Sequence, residues 1–145
     1  MKLPTPQPGH VIRYAYLWSH DYDLGREEGV KDRPAAVVLT IRYDDGLLRV
    51  LALPITHSPP SAPEDAVLIP GAIKNALGLD QAPSWIVVTE VNTFTWPGPD
   101  LRPIDRPGEL TVLYGALPAR FFKTVRDQLS ANIRSRRVRQ IPRSQ

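Results

Sequence analysis

Two apolar runs separated by a turn signal place the strongest constraint on how this chain can fold. Residues 34–43 and 47–55 are rich in Val, Leu and Ile, and residues 44–46 between them read DDG. Two acids followed by a glycine, which tolerates a positive φ angle, are typical of the turn in a β-hairpin. We therefore expect two long antiparallel strands, around which the shorter elements are arranged.

The chemistry of this hairpin is concentrated at its two outer ends. Arg33 precedes the first strand, and Thr56, His57 and Ser58 follow the second. The outer ends of an antiparallel pair lie side by side, so a cation, two hydroxyls and an imidazole are expected at one edge. Side chains alternate along a strand, which separates His57 from the two hydroxyls unless the chain bends. The two prolines that follow Ser58 favour such a bend.

The rest of the chain is predicted to form short strands, two helices and polar loops. Residues 1–8 are a proline-containing lead-in, and a strand over 10–18 places Tyr14, Tyr16 and Trp18 on one face. Residues 19–32 are polar and contain two glycines, which is typical of a long loop. Further strands are predicted at 66–69, 84–94 and 110–114, with a loop over 96–108.

The two helices are indicated by their end signals and their periodicity. Residues 70–78 begin with proline and end with glycine, the residues favoured at the start and the end of a helix. Residues 118–133 place Phe121, Val125, Leu129 and Ile133 on one helical face. Many short strands and sixteen prolines favour a mainly β protein, a small and strongly bent barrel with one short helix and a C-terminal helix.

The composition excludes several kinds of site. Cysteine is absent, so the chain has no disulfides, no thiolate chemistry and no zinc site of the cysteine type. Three dispersed histidines do not predict a metal site, and we expect no cofactor. No apolar run approaches the ~20 residues of a membrane span, and residues 1–10 lack the apolar region of a signal peptide. These features predict a cytoplasmic protein that does not contact a membrane.

The basic charge of the chain is concentrated at its C-terminal end. Residues 132–145 contain five arginines and no acid, whereas the net charge of the whole chain is only +3. We therefore divide the sequence into a barrel domain over 1–131 and an arginine-rich tail over 132–145. Tails of this kind contact nucleic acid or an acidic partner, and the alternative interpretation is a solvated helix end.

Six short motifs follow one another in a specific order along the chain. They are Pro8-Gly9, Gly25-Arg26-Glu27, residues 33–40 (RPAAVVLT), Pro54-Ile55-Thr56, Gly78-Leu79 with Ser84-Trp85-Ile86, and residues 89–94 (TEVNTF). In this order, and with a C-terminal helix after them, the chain resembles the MazF/PemK (Kid-like) toxins of bacterial type II toxin–antitoxin modules. The resemblance covers residues 8–130.

The resemblance implies an SH3-like barrel, usually a homodimer, that cleaves single-stranded RNA without a metal ion. It also implies that an acidic antitoxin peptide blocks the RNA-binding groove. Arg33 and Thr56 match the catalytic arginine and threonine of the family. Either Glu27 or Glu28 matches the loop glutamate, because a one-residue gap leaves both assignments open.

The proton-transfer groups used by part of the family are replaced in this sequence. The acid corresponds to Thr89 and the base to Val87, neither of which transfers a proton at neutral pH. His57 is the first candidate for this role, since an imidazole ordinarily titrates near neutral pH. Glu90 and Glu27 are the alternative bases.

The remaining candidate residues are assigned to substrate binding. The planar guanidinium of Arg33 is suited to hold two phosphate oxygens at once, and Thr56 and Ser58 can donate hydrogen bonds to the same group. Trp18 and Trp96 are candidates to stack on the bases of single-stranded RNA. The alternative role for both tryptophans is packing in the core or in a dimer interface.

Three functions are compatible with these residues. The first is a toxin that is an endoribonuclease and leaves a 2′,3′-cyclic phosphate. The second is a barrel that binds RNA or a partner protein without cleaving it, which Val87 and Thr89 favour. The third is a gyrase-inhibitor type of toxin, which is suggested only by analogy at the level of the fold.

Overall fold

The computed structural model describes residues 3–25, 32–106 and 109–143, in which ten strands and three helices occur. The strands are β1 His10–Tyr14, β2 Arg33–Arg42, β3 Leu48–Thr56, β4 Ala66–Leu68, β5 Trp85–Val87, β6 Glu90–Trp96, β7 Ile104–Arg106, β8 Glu109–Thr111, β9 Leu113–Ala116 and β10 Arg139–Pro142. The helices are α1 Ser19–Asp23, α2 Gly71–Leu77 and α3 Ala119–Arg134.

The predicted hairpin is confirmed by the pairing of β2 with β3. Their antiparallel register runs from Ala35 opposite Pro54 to Arg42 opposite Leu48. Gly46 closes the turn with a φ angle of 85°, the conformation for which a glycine was expected at this position. At the open end of the hairpin the same register leads to Arg33, the first residue of β2, and to Thr56, the last residue of β3.

Eight of the strands form one sheet, so the predicted mainly β class is confirmed. The strand order is β10-β6-β3-β2-β1-β9, and β5 pairs with both β3 and β4. All of these pairs are antiparallel except β10 with β6. In the described ranges the sheet is open, because its terminal strands β9 and β10 do not pair with each other.

The two faces of the sheet carry separate hydrophobic clusters. One lies under α2 and α3, and its buried members include Val11, Ala36, Leu53, Leu77, Ile86, Val125 and Leu129. The other contains Ile12, Tyr14, Tyr16, Val37, Val50 and Phe94. The strand predicted over 10–18 ends at Tyr14, and Tyr16 joins this cluster from the segment after it. The ring centroids of Tyr14 and Phe94 lie 4.7 Å apart in a stacked arrangement.

The buried face of α3 differs from the predicted one. Val125 and Leu129 are buried as expected, but Phe122 and Asn132 complete the face, while Ile133 is 55% exposed. The Asn132 amide donates hydrogen bonds of 2.9 Å to the carbonyl oxygens of Glu64 and Val88. A buried polar side chain with two backbone partners therefore replaces the isoleucine that hydrophobic periodicity had suggested.

Three loop and strand predictions are corrected by the structure. The predicted loop over 19–32 contains the short helix α1, and the predicted loop over 96–108 contains β7. The predicted strand over 84–94 is two strands, because β5 and β6 pair with β3 in registers that differ by three residues. The short helix over 70–78 is confirmed as α2, which ends at Gly78 with a φ angle of 72°.

The described part of the arginine-rich segment, residues 132–143, contacts the sheet. Strand β10 belongs to the sheet and buries Ile141 completely. Arg143 is 5% exposed and pairs with Asp100 at 2.7 Å. Arg139 contacts Asp23 at 2.7 Å. Arg139 and Arg143 therefore tie the C-terminal strand to neighbouring segments.

Within the described ranges, the longest helix is α3 with 16 residues. None of the helices there has the length and the apolar character needed to cross a membrane.

Candidate functional site

The open end of the hairpin borders two concave regions that share Arg33. The first, called the Arg33 groove, has a volume of about 420 Å³ and is lined by Trp18, Arg33, Thr56, Ser58, Pro59, Pro60, Ser61, Asp65, Ala66 and Val87. The second, called the His57 cavity, has a volume of about 410 Å³ and is lined by Asp32, Arg33, Pro34, Ile55, His57, Lys74, Gly78, Leu79, Asp80, Ser84 and Tyr114.

Arg33 is held at the boundary of these two regions by its neighbours. Its guanidinium carbon lies 5.2 Å from the centroid of the Trp18 ring, within the range of a cation–π contact. Partial burial lowers the pKa of the Arg33 guanidinium, and the charge of Asp21 acts in the opposite direction. The Nε atom of Arg33 is buried and has no hydrogen-bond partner among the described residues. A buried donor without a partner is a position where a ligand oxygen would be stabilised.

The position of Trp18 is set by two polar side chains of β6. Asn92 is fully buried, and its amide group bonds both the Leu17 amide at 2.8 Å and the Leu17 carbonyl at 2.7 Å. The carboxylate of Glu90 accepts hydrogen bonds from the Ser19 amide at 3.1 and 3.3 Å. Residues on both sides of Trp18 are therefore fixed to the sheet, and Trp18 is held under Arg33.

The end of β3 bends at the hydroxyl of Thr56. Its Oγ1 atom accepts a hydrogen bond of 3.1 Å from the amide of Ser58. This local bond turns the chain as serine and threonine side chains commonly do. Thr56 and Ser58 then line the Arg33 groove, whereas His57 lines the cavity on the other side. The alternation expected from the sequence is preserved, and the bend does not bring His57 beside the two hydroxyls.

His57 is paired with a carboxylate in its own cavity. Its Nε2 atom lies 2.8 Å from Oδ2 of Asp80, and the two side chains are 58% and 54% exposed. Because a carboxylate only accepts hydrogen bonds, Nε2 carries a proton in this contact, and in the neutral form of the imidazole the lone pair is on Nδ1.

Asp80 in turn is anchored by a buried lysine. Nζ of Lys74 donates to Oδ1 of Asp80 at 2.7 Å and to Oγ of Ser84 at 2.6 Å, and it also contacts the Ala82 carbonyl. The hydrogen bond from Lys74 and the charge of His57 hold the pKa of the Asp80 carboxyl below its ordinary value. Asp80 is therefore ionised under all ordinary conditions.

Several predicted site residues lie elsewhere. Glu90 is 7% exposed and binds backbone at Ser19, so it is not positioned as a base in the groove. Trp96 pairs with Leu48 at the turn end of the hairpin, whereas Arg33 lies at the other end of the ten-residue strand β2. The two ends of a strand of this length are about 30 Å apart. Glu27 and Glu28 lie outside the described residues.

Val87 and Thr89 occupy the positions at which part of the resembled family carries a base and an acid. Val87 lines the Arg33 groove, and the carbonyl of Thr89 accepts a hydrogen bond of 3.0 Å from the Arg139 amide. Neither residue supplies a titratable group. The structure instead places Asp65 in the groove, in an ion pair with Arg137.

No protein-family model matches the sequence, and no curated protein matches it.

Sequence reasoning missed three residues that organise the site. Asp80 and Lys74 were not considered, because neither belongs to the hairpin and they are six residues apart in the chain. The only available signal was the lysine inside a short amphipathic helix, followed by a glycine stop and an acid. Asn92 was missed because an asparagine inside a strand gives no indication of its partners.

The chemistry available at this edge has two parts. The Arg33 groove offers a cation, three hydroxyls and an aromatic ring, which suit a phosphate with an adjoining nucleoside. The His57 cavity offers an imidazole oriented by a carboxylate, which suits the transfer of a proton. Among the described residues, no three His, Asp or Glu side chains are grouped so that they could hold a metal ion.

Proposed function

We propose that the protein is a metal-independent endoribonuclease with an SH3-like barrel fold and that it acts as the toxin of a toxin–antitoxin pair. The single observation that carries the proposal is Arg33, which lines both the groove containing Thr56 and the cavity containing His57. A phosphate on its guanidinium lies between two hydroxyl donors and a histidine. The resemblance in sequence motifs supports the same function.

In the proposed reaction the 2′-oxygen of a ribose attacks the adjacent phosphorus. The O2′–P bond forms and the P–O5′ bond breaks, which gives a 2′,3′-cyclic phosphate and a free 5′-hydroxyl. Neutral His57 takes the 2′ proton and later returns it to solvent, while the 5′-oxygen receives a proton from water. Arg33, Thr56 and Ser58 stabilise the additional negative charge on the phosphorane oxygens.

The partners follow from the same proposal. Single-stranded RNA is the substrate, and Trp18 provides a ring on which a base can stack. An acidic antitoxin segment competes for Arg33, because a carboxylate binds a guanidinium as a phosphate does. On the basis of the resemblance in sequence motifs, we also propose that the protein is a homodimer and that its reaction uses no cofactor.

The direct test is to incubate the purified protein with a mixed single-stranded RNA in the presence of EDTA. We expect cleavage with 2′,3′-cyclic phosphate ends. We also expect a loss of about 10²–10⁴-fold for His57→Gln, the range typical of a lost general acid or base. His20→Gln is the matched control and should retain the wild-type rate. Intact RNA at high protein concentration, with the protein folded, would refute the ribonuclease function.

A second function is favoured by one observation. Among the residues that the structure describes, Asp65 is the only carboxylate lining the Arg33 groove, and it is paired with Arg137, while His57 lies in the other cavity. The groove alone therefore has the composition of a binding site for RNA without a group that moves protons. The same experiment separates the two functions, since RNA that binds in an Arg33-dependent manner but stays intact identifies the binding function.

A further inference from the structure

Lys74 is a buried cation whose side-chain hydrogen bonds are all directed to the segment from Asp80 to Ser84. Its side chain is 5% exposed, and burial of an ammonium group is costly unless its donors are satisfied. Its three acceptors are Asp80, Ser84 and the Ala82 carbonyl. An ammonium has three N–H donors, so all of them are used. Lys74 is thus a fixed hydrogen-bond donor to the segment that carries Asp80.

The loop that carries Asp80 is shaped to meet this lysine. Helix α2 ends at Gly78 with a left-handed conformation, and the Leu79 amide donates back to the Lys74 carbonyl at 3.0 Å. Oδ1 of Asp80 accepts from Lys74 at 2.7 Å and from the Ala82 amide at 3.2 Å. The Oδ1 side of this carboxylate is therefore fixed by a buried anchor, although the residue is half exposed.

The other oxygen of Asp80 is directed to His57. The Oδ2–Nε2 distance is 2.8 Å, which is the length expected of a charge-assisted hydrogen bond. An exposed ion pair that lacks an anchor contributes little to stability, because holding both side chains costs conformational entropy. Here Lys74 and the Ala82 amide already hold the Asp80 carboxylate. Formation of the pair therefore costs the conformational entropy of the His57 side chain alone.

The charged and titratable groups around His57 come from several elements. Asp32 and Arg33 line the same cavity from the start of β2, Tyr114 lines it from β9, and Lys74 with Asp80 lines it from α2 and the loop after it. Asp32 also lies 3.4 Å from Arg102 and 3.9 Å from Arg13. Asp80 is the carboxylate that touches the imidazole.

We propose that Lys74 and Asp80 are positioning residues, which together fix the orientation and the Nε2–H form of His57 and present its Nδ1 atom as the proton acceptor. The assignment rests on the ribonuclease function proposed above. In the reaction, the proton of the 2′-hydroxyl moves to Nδ1, and the resulting imidazolium is stabilised by the carboxylate of Asp80 until it loses a proton to solvent. Neither Lys74 nor Asp80 touches the RNA.

The first test compares Asp80→Asn with wild type in RNA cleavage. We expect kcat to fall about tenfold at an unchanged KM, as part of the general-base contribution is lost. The midpoint of the pH–rate profile should move to lower pH by about half a unit, because the exposed negative charge that favours the imidazolium is gone. Asp127→Asn is the matched control, since Asp127 is also exposed and paired with a lysine, at 2.6 Å.

A double-mutant cycle distinguishes positioning from a general effect on structure. If Asp80 acts through His57, Asp80→Asn causes no additional loss of cleavage in the His57→Gln background. Additive losses, or a wild-type rate and pH profile for Asp80→Asn, would overturn the proposal. Lys74→Met should reproduce the Asp80→Asn profile. It is the secondary variant because loss of a buried ammonium can prevent folding.

A measurement without RNA keeps this inference separate from the proposed function. The titration of the Asp80 carboxyl, followed by ¹³C NMR, should have a midpoint below the ordinary aspartate range and should move upward in His57→Gln. If the titration behaves so but wild-type protein does not cleave RNA, the ribonuclease function fails and the Lys74–Asp80–His57 cluster remains. An ordinary titration of Asp80, unaffected by His57→Gln, would overturn the cluster itself.

Discussion

The Arg33 groove and the His57 cavity lie on opposite sides of the same strand end, yet they are built from different chemistry. The groove has three hydroxyls, a tryptophan ring, two prolines and one aspartate beside Arg33. The cavity has a histidine, a buried lysine and two aspartates beside the same arginine. Under the proposed function the groove holds a nucleotide and the cavity moves a proton. Binding and proton transfer would then be divided between the faces of β3 and meet at Arg33.

The largest effect is expected from Arg33→Ala, because Arg33 belongs to both regions. Removal of one preorganised donor to a transition-state oxyanion costs about 10²–10³-fold in rate, and we expect a loss of at least this size with weaker RNA binding. Arg49→Ala is the matched control, since Arg49 also lies over an aromatic ring, 5.9 Å from the centroid of Tyr43. RNA cleavage and binding assays on both variants test whether Arg33, unlike Arg49, takes part in binding and cleavage. Equal activity of Arg33→Ala and wild type would remove Arg33 from the site.

Gly115→Ala should selectively destabilise α2, the helix beside the His57 cavity. Gly115 has a φ angle of 153°, and an added Cβ would lie 2.9 Å from Cδ2 of Leu77 in α2, the helix that carries Lys74. Overpacking of this kind costs about 1–3 kcal/mol, measurable by urea unfolding. Faster hydrogen exchange should follow in α2 and should not follow in β2.

Gly71→Ala is the control for that experiment. Gly71 begins the same helix, and an added Cβ there meets no atom within 4 Å. Alanine also has the higher helix propensity, so we expect unchanged or slightly higher stability. A Gly115→Ala protein as stable as Gly71→Ala would show that α2 can shift freely against β9.

Thr56→Val tests the groove with an intermediate effect. Valine preserves the shape of threonine but removes the hydroxyl that bonds the Ser58 amide at 3.1 Å. We expect cleavage to fall about tenfold, which corresponds to ~1.4 kcal/mol. Thr40→Val, on the same hairpin but away from both regions, should keep the wild-type rate. If the two variants behave alike, the groove hydroxyls do not contact the substrate.

The smallest effect concerns the pH dependence of stability on the His57 side. The hydrogen bond from Lys74 and the charge of His57 lower the pKa of Asp80 in the folded protein. The ionised carboxylate therefore stabilises the fold above the ordinary carboxyl range near about pH 4, and this contribution is lost as the pH falls through the lowered folded value. Urea unfolding of wild type and Asp80→Asn should differ near neutral pH and converge in acid. A constant difference would contradict this assignment.

The sequence supported the parts of the fold that rest on local signals. The hairpin and α2 are set by turn residues and helix ends, and both are confirmed. Tyr14 and Tyr16 share one cluster as alternation predicted, but the first strand ends at Tyr14. The division of residues 84–94 into two strands was not predictable, because it depends on two different registers against β3. The exposure of Ile133 has the same kind of cause, since Asn132 finds distant backbone partners.

The site was predictable to the same extent. Arg33 and Thr56 lie at adjacent strand ends, so an antiparallel register is enough to bring them together. Alternation alone places His57 on the opposite face from Thr56, as the structure does, and the bend that the two prolines favoured does not bring them together. The partner of His57, Asp80, is 23 residues away. Trp96 was grouped with the site by residue type alone, and its position at the other end of β6 reflects a register that composition does not contain.

The parallel pairing of β10 affects the state of the sheet while the chain is being synthesised. Residues Arg139–Pro142 pair with β6, whose other edge is already occupied by β3. During synthesis the segments before β10 leave the ribosome first, and until residues Arg139–Pro142 emerge one edge of β6 presents unpaired amides and carbonyls. An exposed edge of this kind can pair with another chain. The pairing of β10 with β6 is thus also the step that protects this edge from association with neighbouring chains on the same messenger.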